Sequence, residues 1–257
     1  MNKQKRETLR NLRRALDGQG ALGIFGKTTD SAFVEAAGYS GLDFFIVDLE
    51  HGLSSLETLQ SHIRAAYSSE TAPIVRVPSW DSHAISQALD AGAAGVQVPG
   101  VSSADQACHV IESAKFHPQG ARGMCRYVRD AAYGCQDRHE YFREANEAIV
   151  ILQVEGTQGI ENLDEILSVS GVDVLFVGPY DLSQSLGVPG RVDSDEVQSA
   201  LISIAERSNA RGVAVGAFVD SPEEAVGLFA RGLRYIACSV DVGIFGRACK
   251  KLTEVVR

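Results

Sequence analysis

Four places in the chain set polar, reactive side chains at the ends of apolar runs. Asp48, Glu50 and His51 close the run that starts at Asp43, and Arg76 sits near the end of Ala72-Pro-Ile-Val-Arg-Val77. Gln153 and Glu155 end the run from Ile149, and Asp181 follows Asp173–Val177 through Gly178-Pro179-Tyr180. In extended chain the side chains alternate between faces, so Asp48 shares a face with Glu50, and Gln153 with Glu155. A carboxylate turned into a closed, apolar interior is costly unless it is paired or bound to metal. Glu155 and Asp181, from neighbouring strands, could meet at one hard cation. Water and substrate oxygens would then complete the oxygen shell that Mg2+ or Mn2+ prefers.

Each of these residues also has a plainer reading. Asp181-Leu-Ser-Gln184 has the spacing of a capping box, so Asp181 could simply start a helix. Glu155, next to Gly156, could be a solvated loop acid. His51 could be a core histidine, although Asp48 three residues earlier is the kind of partner that fixes an imidazole's tautomer. Arg76 inside a strand requires an anion, either a neighbouring acid or a substrate carboxylate gripped bidentately. Asp90 falls near the predicted C-terminus of a helix, where the dipole disfavours an acid.

The elements that must carry these residues recur in a regular way. Eight short β-rich runs (Ala21–Gly26, Asp43–Asp48, Ala72–Val77, Gly95–Val98, Ile149–Glu155, Asp173–Val177, Val213–Val219 and Tyr235–Val240) are separated by helical segments. They are apolar on both faces, as buried parallel strands are. Eight such units predict a (β/α)8 barrel in one domain, residues 1–257; an open doubly wound sheet would produce the same local signals with fewer strands. Glycines such as Gly41 and Gly171 stand where the preceding helix would end in the left-handed conformation. Leu9, Leu12 and Leu16 mark one face of an N-terminal helix. The long irregular stretch from His117 to Asn146 is where an active-site loop is expected. Between Gly243 and Arg257, Ile244, Phe245, Ala248, Cys249, Leu252 and Val256 form a helical stripe. In an isolated barrel that stripe would cover the eighth strand.

With 257 residues, 45% of them apolar, and 25 Gly against 7 Pro, the chain is neither disordered nor collagen-like. A net charge of −9 argues against a general grip on nucleic acid or an anionic membrane. No apolar run approaches the ~18 residues of a membrane span. The five cysteines contain no C-x-x-C pair and read as reduced thiols of a cytoplasmic protein. Gly18-Gln-Gly20-Ala-Leu-Gly23 matches a dinucleotide fingerprint but precedes the first strand. Gly26-Lys27-Thr28 lacks the upstream glycine of a phosphate loop. The six lysines include only one, Lys27, that closely follows a strand, so no Schiff-base chemistry is expected.

Asp48-Leu-Glu-His51-Gly52, Arg76-Val-Pro78, Leu89-Asp-Ala-Gly92, Gly120-Ala-Arg-Gly123, Gln153-Val-Glu155 and Gly178-Pro-Tyr-Asp-Leu-Ser183 stand in a set order. That series, spanning about Gly20 to Asp241, resembles the class II pyruvate aldolases of the HpcH/HpaI family. The resemblance implies a metal-dependent barrel in which Glu155 and Asp181 bind a divalent ion (Mg2+, Mn2+ or Co2+). It implies that Arg76, with Gln153 and Tyr180 beside it, binds pyruvate or another 2-oxo acid, and that His51, oriented by Asp48, moves protons. Asp90 resembles an acid that reaches a neighbouring subunit's site. The C-terminal helix would be exchanged between subunits of a homo-oligomer, a hexamer built as a trimer of dimers. The second substrate would be an aldehyde. The rival is the same enolate chemistry on another electrophile, as in oxaloacetate decarboxylation or condensation of oxaloacetate with acetyl-CoA, with Arg126 or Arg129 serving extra carboxylates. A binding-only barrel is the alternative of another class.

Overall fold

A computed structural model describes residues 3–257. Its eight strands are β1 (Ala21–Gly26), β2 (Phe44–Asp48), β3 (Ala72–Arg76), β4 (Gly95–Val98), β5 (Ile149–Val154), β6 (Val174–Val177), β7 (Ala214–Val219) and β8 (Tyr235–Val240). They pair in parallel and in sequence order, and β1 closes on β8 to complete the barrel. Closure excludes the open doubly wound sheet. Every run expected from the sequence is a strand, its ends moved by at most one residue.

The helices in order are α1 (Lys3–Asp17), α2 (Ser31–Tyr39), α3 (Leu56–Ser68), α4 (Ser82–Asp90), α5 (Ala104–Ala114), α6 (Arg138–Ala145), α7 (Thr157–Glu161), α8 (Leu163–Ile166), α9 (Pro179–Ser185), α10 (Asp195–Asn209), α11 (Pro222–Ala230) and α12 (Asp241–Val256). Side-chain oxygens of Asp30, Ser55, Asp81, Ser103, Ser194 and Ser221 each accept a backbone N–H in the first turn of the helix that follows. Those bonds satisfy donors a helix start would otherwise leave orphaned. Gly41 and Gly171 take φ of +89° and +95°, the left-handed region open to glycine, and turn the chain back towards β2 and β6.

Alternation along the strands divides the core into two shells. Val47, Val75, Val96, Val150, Leu175 and Val215 point outward and pack under the helices. Phe44, Ile46, Ile74, Ile151, Phe176 and Tyr235 point inward, with Phe44 stacked on Tyr235 at 4.0 Å between ring centroids. Leu9, Leu12 and Leu16 of α1 pack against this inner shell and close the N-terminal end of the barrel. Each fully buried leucine contributes roughly 1.5–3 kcal/mol. A buried Lys5–Asp130 ion pair ties α1 to the chain between α5 and β5.

One expectation changes. The stretch from His117 to Asn146 joins α5 to β5, so it lies at the N-terminal end of the barrel, away from the chemistry that gathers at strand C-termini. It holds a 3-10 turn (Arg129–Gly134), α6 and a small core of Phe116, Ala131, Tyr141 and Ala145. It is therefore not a loop of its own subunit's site. Arg126, donating to Gly134 O, and Arg129, donating to Ala91 O, belong to the same end and cannot serve extra carboxylates within this chain. Helix α12, in turn, does not cover β8. Asp241 is its one buried residue, while Ile244, Phe245, Leu252, Val255 and Val256 are exposed.

Candidate active site

The last inward-facing layer of the barrel is polar where the layers below are aromatic and aliphatic. The parallel register aligns Asp48 with Arg76 and Arg76 with Gln97. Asp48 is fully buried, and Arg76 grips it as a fork, Nε to Oδ1 at 2.9 Å and Nη2 to Oδ2 at 2.8 Å. Arg76 Nη1 lies 3.0 Å from Glu50 Oε2, so the two acids placed on one face by alternation converge on one guanidinium. The guanidinium carbon stands 4.6 Å from the centroid of the Phe25 ring, which fixes its plane. Lys27 Nζ also donates to Asp48 Oδ2, and the backbone N–H groups of Glu50 and His51 donate to Oδ1 at 3.1 and 3.2 Å. Burial by itself would raise the Asp48 carboxyl; the Arg76 hydrogen bonds and charge, with Lys27, outweigh it and hold the group at about 2.

The other wall is acidic. Gln97 Nε2 donates to Gln153 Oε1 at 2.6 Å, and Gln153 Nε2 donates to Glu155 Oε1. Burial, then the charge of Asp181, raises the Glu155 carboxyl above the usual glutamate range. Both acids flank Gly178: a methyl placed there would lie 3.2 Å from Asp181 Oδ2 and 3.7 Å from Glu155 Cγ. A cavity of about 160 Å3, lined by Phe25, Lys27, Arg76, Gln153, Phe176 and Asp181 among others, separates the basic wall from this pair. Two carboxylates gathered about one glycine at the ends of neighbouring strands are donors of the kind a hard divalent ion takes. Among the described residues no three His, Cys, Asp or Glu side chains gather in a metal-holding group. Glu155 and Asp181 would thus supply two ligands of such an ion, and water and substrate oxygens would complete its shell.

Residues 21–248 match the family model described as HpcH/HpaI aldolase/citrate lyase. The chain belongs to that family. It is 35% identical over 234 residues to the 2-keto-3-deoxy-L-rhamnonate aldolase of Salmonella gallinarum, covering 90% of this chain and 87% of the relative. A solved HpcH/HpaI aldolase/citrate lyase family structure from Burkholderia cenocepacia J2315 superimposes with a TM-score of 0.89 at 33% identity, covering 95% and 98% of the two chains. The citrate synthase SbnG superimposes with a TM-score of 0.84 at 31% identity, covering 96% and 97%. As a member of the HpcH/HpaI family the protein is a pyruvate-type aldolase, a carbon–carbon lyase, which removes the binding-only alternative.

Against that family's expected site, the geometry brings Asp48, Arg76, Gln153, Glu155 and Asp181 together. His51 is at the mouth, its side chain 68% exposed and its Nε2 3.9 Å from Glu50 Oε2. Asp48 touches His51 through the backbone N–H and not the ring, because both carboxylate oxygens are engaged by Arg76 and Lys27. Asp181 lies in the first turn of α9, whose cap is Gly178 without a side-chain bond, so Asp181 does not act as an N-cap. Tyr180 is exposed at the rim and donates to Asp220 Oδ2 at 2.5 Å; that bond, with some burial, pushes its hydroxyl up to about 12. Asp90 is at the opposite end of the barrel, paired with the buried Arg122, which supplies a partner for its awkward place at the end of α4. Lys27 is the site residue that motif reading missed as a site residue. Its one sequence signal was its place directly after a strand.

Proposed function

We propose that this mouth of the barrel makes and breaks the carbon–carbon bond between pyruvate, or a related 2-oxo acid, and an aldehyde, with Mg2+, Mn2+ or Co2+ held by Glu155 and Asp181. The observation that carries it is the buried Arg76 held by Asp48 on one small cavity with Asp181, whose charge also acts on the neighbouring Glu155. When bound, the ion supplies Lewis-acid polarisation of the 2-oxo group. Arg76 spends two of its five N–H donors on Asp48 and meets Glu50 as an ion-pair contact, which leaves N–H groups on both terminal nitrogens as a fork for the substrate carboxylate. Asp48 acts through Arg76 by locking its plane, and Gln153 holds Glu155 while itself held by Gln97. His51, exposed at the mouth beside Glu50, carries the proton between substrate C3 and solvent. Chelation is expected to stop turnover and C3 proton exchange of pyruvate, with recovery on adding Mg2+, Mn2+ or Co2+. Glu155→Ala and Asp181→Ala are expected to lose Mn2+ binding while keeping the wild-type circular dichroism. Full activity after exhaustive chelation refutes the reading.

The similarity to citrate synthase SbnG favours a second reading, condensation of oxaloacetate with acetyl-CoA at the same site. A screen of 2-oxo acids against an aldehyde panel plus acetyl-CoA separates the two.

The assembly proposed is a homo-oligomer built from dimers that exchange α12, arranged as a trimer of dimers. In a complete barrel the eighth helix covers β8 and β1; here a groove of about 610 Å3 stands open there, lined by Leu22, Ile24, Phe33, Phe229 and Cys238. Ile244, Phe245 and Ala248 of α12 form one side of it, Phe245 edge-on to Phe33 yet 59% accessible, and Leu252, Val255 and Val256 beyond them are exposed. A second copy's α12 supplies the missing cover at little cost, because the same contacts form in trans. Asp90 serving a neighbouring subunit's site is part of this proposal. Co-refolded Asp90→Ala and Arg76→Ala chains are expected to regain activity that neither has alone.

A further inference from the structure

Lys27 is held in a way its sequence context does not explain. Asp241, 4% exposed at the root of α12, spends both carboxylate oxygens on the loop that carries it, accepting from Lys27 N at 2.9 Å and Thr28 N at 3.0 Å. The buried ring of His62, from α3, contacts Thr28 O through Nε2 at 3.0 Å. The Lys27 side chain, 26% exposed, then runs to Asp48 and lines the cavity beside Arg76. Three separate elements, α12, α3 and β2, thus fix one lysine at the mouth of the barrel. A buried carboxylate taken out of water to anchor a two-residue loop is expensive unless the loop's position matters.

An ammonium has three N–H donors. One goes to Asp48, and among the described residues no other protein acceptor takes the remaining two. The reaction has three oxygen centres that need positive charge. In the reading given above, which this inference builds on, Arg76 takes the 2-oxo acid's carboxylate, and an ion held by Glu155 and Asp181 would polarise its oxo group. The third centre is the carbonyl oxygen of the second substrate, and Lys27 is the remaining cation in the cavity's lining.

We propose that Lys27 hydrogen-bonds the carbonyl oxygen of the electrophile and so serves the carbon–carbon step, with Asp241 as its positioning residue. In the forward step C3 of the enolate bonds to the carbonyl carbon. The electron pair of the C=O π bond moves onto the oxygen, where the fixed ammonium stabilises it. The alkoxide takes a proton from the ammonium, and Lys27 regains one from water at its exposed side. Cleavage runs the same transfers in reverse. No covalent bond to the lysine forms.

Enolisation of pyruvate needs no electrophile, so the two steps can be assayed apart. In metal-loaded Lys27→Gln, aldol addition of pyruvate to the best wild-type acceptor among glycolaldehyde, lactaldehyde and succinic semialdehyde should fall at least tenfold further than C3 proton exchange does. Lys27→Arg should recover part of the addition rate. Asp241→Asn should show the same split to a smaller degree. Mn2+ affinity and the melting temperature of Lys27→Gln should stay close to wild type. Equal loss of exchange and addition, or no loss of either, overturns the proposal. So does a borohydride-trapped pyruvate adduct on Lys27, which would make the lysine a covalent catalyst. A wild-type enzyme that shows neither exchange nor addition refutes the proposed aldolase function instead, a result distinct from the loss of the split.

Discussion

Asp48→Asn tests how far one buried carboxylate organises the site. The substitution keeps the shape but removes the charge that Arg76 and Lys27 share, and puts an NH2 group against one of two cations. The Asp48 carboxyl lies at about 2 in the folded protein against an ordinary 3.8. That difference corresponds to about 2.5 kcal/mol of stability at neutral pH. Breaking a buried pair by removing one partner costs roughly 3–5 kcal/mol in general, so a loss between about 2 and 5 kcal/mol is expected at pH 7. The folded value is depressed, so this stability is fully present above about pH 4 and is lost as the pH falls towards 2. The gap between wild type and variant should therefore stay constant from pH 7 to 5 and narrow by about 1 kcal/mol at pH 3. Urea unfolding of both proteins at equal protomer concentration reads it directly, which also holds any oligomer contribution fixed. A gap below 1 kcal/mol at pH 7, or one that widens on acidification, would refute the reasoning.

Arg76→Lys keeps the charge but loses the fork, and should slow pyruvate C3 exchange by about a hundredfold while Mn2+ affinity stays near wild type; unchanged exchange by NMR would make Arg76 structural. Phe245→Asp should weaken the exchange of α12 and shift the protein towards smaller species in sedimentation velocity, whereas an unchanged assembly would contradict the open groove as a docking site for a second copy. Lys5→Met strands Asp130 in the α1 interface and should cost about 3 kcal/mol in urea unfolding. Pairing it with Asp130→Leu should recover most of that loss, and no recovery would mean the pair is not what ties α1 down.

How much of this was legible in the chain depends on how local the signal is. Strand and helix periodicity, the glycines ending helices at Gly41 and Gly171, and Leu9, Leu12 and Leu16 all report short-range geometry, and each was readable without coordinates. So was the pairing of faces that puts Glu50 beside Asp48 and Glu155 beside Gln153, because alternation is a property of any strand. The ordered motifs named the family, since eight strands visited in sequence order bring the ends of β2, β3, β5 and β6 around one mouth. Contacts between distant segments were not legible. Nothing near Asp48 in the sequence says that its oxygens go to Arg76 and Lys27 and not to the His51 ring; only the barrel's register and the Asp241 anchor decide that. The same holds for Asp90, whose partner Arg122 is thirty-two residues away. The end of the barrel that holds the stretch from His117 to Asn146, by contrast, follows from element order alone, because it joins a helix to the next strand. Residue types and spacing determined which chemistry this protein can do. Closure of the barrel, by desolvating Asp48 and Arg76 together, decided which charges face one another and which were left for substrate.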